Sequence, residues 1–592
     1  MGYNRPPTNH AGLRSNSRSR GLATLPRAMR TVAQHRRQAA AARPATAGRG
    51  RWLSLRGTVL LCALSGVALS LCFPPAGLWF LAWVALVPWL VAARTSRGWG
   101  ATLLGSCVGG VVFFGALLYW LYLFGISVWF LASLFFGLPL LAWGLGVRWI
   151  GRLGPLPRMI GAAVLWCGME WMRGLGQFGF TWGWLGYSQS PKPGLLVLAR
   201  LFGTLGISFF IVVVNAGLAE LVIGRLRGER VTSSMGRAAL ACGLAAACVF
   251  GARAWGKRLP GPTGPEIQAA VIQGSATGPL RAEQVNVPVT AREERKTLDI
   301  YQGLTATAAR QQPALVVWPE SVLPEPPEDQ PWIAAAVSQA ARSSGAWLLA
   351  GGPYTGAFPL PPGWSAKRGW GNARLSDERG RTFNSAYLYS PTGNLTARYD
   401  KVQLVPFGEY VPGRNWLPFL KRYHIRDQDF AAGAVHRVLQ AGTIAVGPMI
   451  CFESTFPTIS WQFSRRRAQV LVIITNDAWF GHTAAAAQHQ QIAVLRAVET
   501  GRWVLRGASA GISSIISPTG KVVAKAGLFQ QKVLSAKIRL ETSGQAAPRW
   551  GPAFSWLMVA LSAAYLMAPA ALPRRTAKRP AAPRSAGPRR RG

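Results

Sequence analysis

Eight apolar runs, seven of them within the first 255 residues, set the frame for this 592-residue chain. They fall near 57–73, 77–93, 101–123, 126–147, 158–174, 196–223, 237–255 and 552–572. Each is long enough, or nearly so, to cross about 30 Å of hydrocarbon, where only helices and closed barrels satisfy the backbone. The connections carrying Arg94 and Arg97, then Arg148, Arg152 and Arg158, then Arg225, Arg227, Arg230 and Arg237, alternate with connections poorer in positive charge. Basic connections stay on the cytoplasmic side. Placing the N-terminus inside therefore puts all of them inside, together with the tail after the eighth run. Lys257 and Arg258 fall on the other side and mildly oppose this order. The stretch between the seventh and eighth runs is then extracytoplasmic.

The chain carries 65 Lys and Arg against 22 Asp and Glu. Residues 1–56 hold twelve Arg and no acidic residue, and Pro573–Gly592 holds eight Lys or Arg and no acidic residue. Neither shows a hydrophobic period, which predicts a disordered basic arm (1–56) and a basic cytoplasmic tail (573–592). Such clusters flanking apolar runs fit anionic headgroups. They form no basic face interleaved with aromatics, so nucleic acid is not an expected partner. A cleaved signal peptide is excluded for the first run by the length of its basic leader and by the runs that follow. The remaining boundaries are a membrane domain of about seven helices (57–258), an extracytoplasmic domain (259–548) and a C-terminal transmembrane helix (549–572).

Between the last two apolar runs the pattern changes to short apolar runs alternating with amphipathic stretches. Strands are predicted at Ala269–Gln273, Ala314–Trp318, Trp347–Ala350, Ser385–Tyr389, Ile444–Ile450, Val470–Thr475 and Ile512–Ile516. Helices are predicted at Ala291–Arg310, 332–344 and Ala485–Thr500. This is a layered α/β domain. Six of the seven cysteines lie in apolar runs, and Cys451 alone lies in this domain. A lone cysteine there makes no disulfide within its domain and no cysteine-only metal site, leaving an inert thiol or a nucleophile. Glu320 and Cys451 end strand runs and Lys401 follows Tyr399-Asp400, positions from which a layered fold presents side chains to a cleft. A neutral thiol needs a base, a nearby cation or both to act; Glu320 offers a base and Lys401 a cation, while a solvated carboxylate and a solvated ammonium are the alternative readings that spacing leaves open.

The blocks Trp318-Pro319-Glu320, Lys401 through Pro412, Cys451-Phe452-Glu453 and Asn476 through Gly481 resemble the Glu–Lys–Cys signature of the nitrilase, or carbon–nitrogen hydrolase, superfamily. Preceded by about seven spans and followed by one, they resemble the apolipoprotein N-acyltransferase family in particular, as does Phe180 through Gln189. The resemblance implies a polytopic α-helical membrane domain plus an extracytoplasmic nitrilase-like α-β-β-α sandwich, in a multi-pass cell-membrane protein with both termini cytoplasmic. It implies that Cys451, deprotonated by Glu320, takes the sn-1 acyl chain of a phospholipid as a thioester. The acyl group then passes to the N-terminal amine of diacylglyceryl-cysteine in an apolipoprotein, without a cofactor or metal. Lys401 would stabilise the oxyanion. Glu409, Glu453, Phe452, Asn384 and Trp479 match supporting or substrate-binding positions. Two departures bear on donor or acceptor preference: Phe452 stands where the family often has Tyr, and Gln273-Gly274 leads to Pro279-Leu280-Arg281-Ala282 without the family's Trp.

The alternative is a membrane-tethered nitrilase-type amidase that passes the acyl group to water. A transporter or scaffold with a degenerate domain is disfavoured by the full set of Glu320, Lys401 and Cys451. A Cys–His pair using His482 or His489 is weaker, because structural roles suit both. Gly507-Ala508-Ser509-Ala510-Gly511 matches G-x-S-x-G but lacks the strand–turn–helix setting and a following His. Within the fifth run, Glu170 is costly in hydrocarbon and has Arg173 three residues on as its expected partner. The loop Gly174–Tyr187, rich in Gly, Trp and Phe, suits a lipid-access mouth.

Overall fold

The computed structural model describes residues 52–258, 261–275, 290–355, 381–413, 429–543 and 547–571. Most of the expected N-terminal arm, the C-terminal tail and residues 279–282 lie outside these.

The membrane half is helical: α1 (Leu55–Leu71), α2 (Val87–Thr95), α3 (Trp99–Leu117), α4 (Ile126–Ile150), α5 (Pro155–Arg173), α6 (Thr204–Leu226) and α7 (Val231–Arg258). Among the described residues, five helices are long and apolar enough to cross a membrane: Trp99–Leu117, Ile126–Ile150, Thr204–Leu226, Val231–Gly256 and Trp550–Ala570. The second apolar run is not one helix. It breaks into a 3-10 turn, Trp79–Trp83, and α2, with Pro88 in the first turn of α2, where a missing N–H costs nothing. Small residues set close crossings. A Cβ on Gly110 would lie 2.7 Å from the Gly137 carbonyl oxygen, so α3 and α4 touch backbone to backbone.

The basic connections converge at one end of this bundle. Glu220, near the end of α6, accepts from Arg94 at 2.9 Å and from both Nε (2.6 Å) and Nη2 (2.5 Å) of Arg158, with Arg237 4.0 Å away. Arg148 beside them donates to Ser96 and Thr102. Since α5 starts at this end and α6 finishes there, Arg173 and Thr204 lie at the other end, where the second domain packs.

Among the described residues, that domain holds two six-stranded sheets. The first is ordered β12-β1-β2-β3-β4-β5, from β1 (Glu266–Gln273), β2 (Leu315–Val317), β3 (Trp347–Thr355), β4 (Thr382–Tyr389), β5 (Leu395–Asp400) and β12 (Lys532–Arg539). The second is ordered β11-β10-β9-β8-β7-β6, from β6 (Leu439–Ala441), β7 (Ile444–Ile450), β8 (Val470–Thr475), β9 (Val504–Ala508), β10 (Ser514–Ile516) and β11 (Val522–Lys525). Strands β1 and β2 face β9, and β4 faces β7. Helices α8 (Ala291–Ala309) and α9 (Pro331–Ser344) cover the first sheet around Trp318, Tyr301 and Val337. Helices α10 (Pro457–Arg465) and α11 (Ala485–Thr500) pack on the second. The layers read α-β-β-α, and α12 (Ala547–Ala571) returns the chain to pack along α5.

Helix α11 is buried at every position except Ala487, because the second sheet covers one side and the membrane half covers the other. Gln488 donates to the carbonyls of Pro74 and Leu117 and accepts from the indole N–H groups of Trp120 and Trp182. Glu499 accepts from the N–H (2.8 Å) and hydroxyl (2.6 Å) of Thr204.

Glu220 neutralises a cluster of guanidinium groups with little access to water, and removing one member of such a buried set typically costs about 3–5 kcal/mol. Glu220→Gln is expected to lower the thermal midpoint of the detergent-solubilised protein by several degrees, with Glu220→Asp intermediate. An unchanged midpoint would show the cluster to be energetically idle.

Candidate active site

The ends of five strands converge on one cluster of ionisable groups. Glu320 follows β2, and Gly351 on β3 makes room for it: a Cβ there would lie 2.6 Å from the Pro319 carbonyl oxygen and 2.7 Å from the Glu320 Cα. Asn384 lies on β4. Lys401 follows β5 directly, and its N–H donates to the Asn384 carbonyl at 2.8 Å. Cys451 follows β7, and Asn476 follows β8.

Lys401 Nζ donates to Glu409 Oε1 at 2.9 Å and lies 3.9 Å from Glu320 Oε1. Asn384 Nδ2 bridges the two carboxylates, donating to Glu320 at 2.7 Å and to Glu409 at 2.9 Å. The Asn476 N–H donates to Glu320 Oε2 at 2.7 Å and the Val405 N–H to Glu409 Oε2 at 2.8 Å. Glu320 and Lys401 are buried. Burial, and then Glu409, raise the carboxyl pKa of Glu320 above its ordinary value, with Lys401 opposing. Burial pulls the Lys401 ammonium down, but Glu409 and then Glu320 outweigh it and hold the pKa above the usual lysine value. Lys401 is therefore a permanent cation.

Cys451 retains partial exposure. Burial of its thiol and then the Glu320 charge push the pKa up, and Lys401 offsets only part of that. The sulfur at rest is a protonated thiol within electrostatic reach of a carboxylate and an ammonium. Its backbone is left-handed, at φ +53°. Ser321 and Phe407, in the Glu320 and Lys401 segments, are left-handed too, at +56° and +63°. Such geometry costs a non-glycine residue roughly 1–3 kcal/mol and persists only where the surroundings over-determine it.

Glu453 supplies much of that determination. Its Oε1 accepts from Tyr399 OH (2.8 Å), Val402 N–H (2.8 Å) and Gln403 N–H (3.2 Å), and its Oε2 from Ile450 N–H (2.8 Å). One carboxylate thus ties the Cys451 turn to the segment that follows β5. Phe452 is buried edge-on against Phe456, ring centroids 5.0 Å apart, and 6.3 Å from Phe180 of the membrane half. Trp479 packs with Ala478, Ala510 and Phe529, apart from the hydrogen bonds of the charged cluster.

Sequence reasoning missed a chain of buried groups beneath the turn. Ser454 Oγ donates to the Cys451 carbonyl at 2.8 Å and lies 2.8 Å from His489 Nε2. His489 Nδ1 lies 3.0 Å from Asp477 Oδ1, whose Oδ2 accepts from Arg506 at 2.5 Å. Burial and then Arg506 keep the His489 pKa below its ordinary value, so the ring is neutral at neutral pH. Burial opposes the Asp477 charge, yet Arg506 and His489 carry its pKa down to about 2. His489 thus supports the turn, and His482 packs on Phe529 at 4.4 Å. Ser509 sits between strands, where its hydroxyl donates to the Glu320 carbonyl at 3.0 Å.

Two expectations for the membrane half need correction. Glu170 and Arg173 do not meet in a mutual ion pair. The carboxylate accepts from the Leu185 N–H at 2.6 Å, and the guanidinium donates to the carbonyls of Phe180 (3.0 Å) and Trp182 (2.7 Å). The 174–187 loop is no open mouth throughout. Trp182 and Trp184 are buried, and Phe178 is exposed.

Residues 268–548 match the family model for carbon-nitrogen hydrolase, and residues 65–217 match that for the apolipoprotein N-acyltransferase N-terminal domain. An apolipoprotein N-acyltransferase of Geobacter metallireducens is 33% identical over 85% of this chain and 94% of its own length. One of Pseudomonas syringae pv. tomato is 29% identical over 82% and 92%. Among solved structures, an amidase of the nitrilase superfamily from Nesterenkonia is 20% identical, covering 47% of this chain and 92% of its own with a TM-score of 0.33. With matches to both halves and homology along nearly its whole length, the chain belongs to the apolipoprotein N-acyltransferase family of membrane enzymes, its second half a carbon–nitrogen hydrolase domain.

Proposed function

We propose that this protein moves an acyl chain from the sn-1 ester of a phospholipid to the amine of an N-terminal diacylglyceryl-cysteine, through a thioester on Cys451. The reading is carried by one arrangement: a neutral thiol at a strained strand end, beside a buried carboxylate of raised pKa and a permanently charged lysine.

In the first half-reaction Glu320 takes the thiol proton as the sulfur attacks the ester carbonyl carbon. The developing oxyanion gains the Lys401 ammonium and the backbone N–H of Phe452 as partners. The C–O bond breaks, and Glu320 returns the proton to the departing lysophospholipid alkoxide. In the second, the amine attacks the thioester and gives a proton to Glu320. The amide C–N bond forms, the C–S bond breaks, and the thiol is restored. Glu409 and Asn384 position Lys401 and Glu320, and Glu453 fixes the turn. Because the thiol is not ionised at rest, proton transfer accompanies attack, and Glu320 acts as a true general base.

The side of the membrane follows from charge. The bundle end with Arg94, Arg148, Arg158 and Arg237 is cytoplasmic by the distribution of basic residues, so the carbon–nitrogen hydrolase domain at the other end is extracytoplasmic. There it meets the outer-facing lipid and newly lipidated proteins.

Incubating the full chain with a phospholipid of defined acyl chains should add one acyl mass to the Cys451 peptide. A diacylated lipopeptide should then remove it and gain the same group. Release as free fatty acid with no lipopeptide product would instead establish the amidase-like hydrolase. Cys451→Ala should abolish both adduct and product, and retained N-acylation in that variant would sink the mechanism.

The acylation rate should fall on the acid side as Glu320 is protonated, with a midpoint above the ordinary carboxylate range because its folded pKa is raised. Glu320→Gln should remove that limb and lower the rate roughly 10²- to 10⁴-fold. A limb surviving in Glu320→Gln assigns the base elsewhere.

A further inference from the structure

The Phe180–Gln189 segment of the membrane half belongs to the family signature, yet the reaction above gives it no role. It reaches the nucleophile turn directly. Thr181 Oγ1 donates to the Thr455 carbonyl oxygen at 2.8 Å, and Tyr187 OH donates to the same oxygen at 3.2 Å. Arg496 of α11 is the third donor, at 3.1 Å. Thr455 closes the 3-10 turn that Cys451 opens, and its own hydroxyl donates to the Phe452 carbonyl at 2.9 Å. A carbonyl oxygen has two lone pairs, so three donors converging on one is a dense arrangement.

The donors are themselves fixed. Thr181 and Tyr187 are 1% exposed. Tyr187 stacks on Trp184 at 5.9 Å and 10°. Arg496 is held by Glu499 at 2.9 Å and by Thr204 at 3.2 Å. Arg173 pins the loop backbone on both sides of Thr181, and Glu170 pins it two residues before Tyr187. The turn is thus gripped at its first residue by Ser454, which His489 supports, and at its last residue by the membrane half.

We propose that the Thr181–Tyr187 loop is a positioning element for the nucleophile: its two hydroxyls, with Arg496, clamp the Thr455 carbonyl and hold the Cys451–Thr455 turn so that the thiol faces Glu320 and Lys401. Thr181 and Tyr187 are positioning residues, acting through the turn and touching no substrate. The catalytic geometry is completed only when the two halves are docked. A displacement of about 1 Å at a reacting atom is enough to cost on the order of 10²-fold in rate.

This inference rests on the Cys451 thioester, and the test separates the two. Single-turnover acylation of Cys451 is followed by intact mass in the full detergent-solubilised chain, over a range of phospholipid concentrations. Thr181→Val keeps the volume and deletes the hydroxyl. It is expected to lower the maximal rate about 10- to 100-fold with the half-saturating phospholipid concentration unchanged, and Thr181→Ser is expected to recover most of that loss. Tyr187→Phe removes one oxygen while keeping the stack on Trp184, and carries the same test should Thr181→Val not reach the folded state. A wild-type rate in both single variants overturns the clamp. So does a deficit that higher phospholipid concentration abolishes, since the loop would then handle substrate. A wild-type protein that never acquires the acyl mass overturns the thioester reading itself.

Discussion

The constraint on which this domain depends is the joint removal of Glu320, Lys401 and Glu409 from water. A single unpaired charge buried there would cost several kcal/mol. The set is tolerable because Lys401 lies between two carboxylates and because Asn384, Asn476 and Val405 supply neutral donors to the remaining oxygens. These donors come from both sheets, so the sheets must meet in one register at this end. That explains Gly351, where any side chain would push Glu320 aside. After burial itself, the Glu320 charge favours the protonated form of the nearby thiol, with Lys401 opposing it.

The same reasoning extends along α11. A helix buried on both sides ordinarily carries only apolar residues, yet this one holds Gln488, His489, Arg496 and Glu499. Each makes hydrogen bonds across a boundary: Gln488 and Glu499 with the membrane half, His489 with the Cys451 turn, Arg496 with both. Apolar packing tolerates sliding by a fraction of an ångström. A fully bonded amide does not, so the two halves share one register.

The elements legible in the sequence are those whose burial is uniform. Ile444–Ile450 and Val470–Thr475 appear where expected because continuous apolar character marked them, and the helix expected over Ala485–Thr500 is present although polar residues interrupt it. The β5 strand, Leu395–Asp400, was not legible, being polar through Thr396, Arg398 and Asp400 at the edge of its sheet. Strand β11 was missed for the same reason, since its residues are only partly covered. At the site, Glu320, Lys401 and Cys451 were legible from strand-end placement and from block resemblance. Ser454, His489, Asp477 and Arg506 converge from four separate segments, and no local spacing announces such a meeting. Glu170 and Arg173 show the opposite hazard. Helical spacing placed them on one face, but the nearby loop offered better-directed backbone partners than either offered the other.

A thioester formed at this site would face two acceptors, water and an amine, and the charged triad does not choose between them. The surroundings bear on that choice. Phe136 of α4 stacks on Phe180 at 4.2 Å, and Phe180 lies 6.3 Å from Phe452, which follows Cys451 in the chain. This aromatic file runs from a membrane helix to Phe452, which carries no hydroxyl. Apolar walls of this kind offer a bound water no hydrogen-bond partner, so water is poorly held next to the thioester. An amine delivered on a lipid anchor arrives with its own binding energy and needs no such partner. In the proposed reaction the membrane half therefore does more than tether the enzyme, because its aromatic residues carry an apolar contact to Phe452, next in the chain to Cys451.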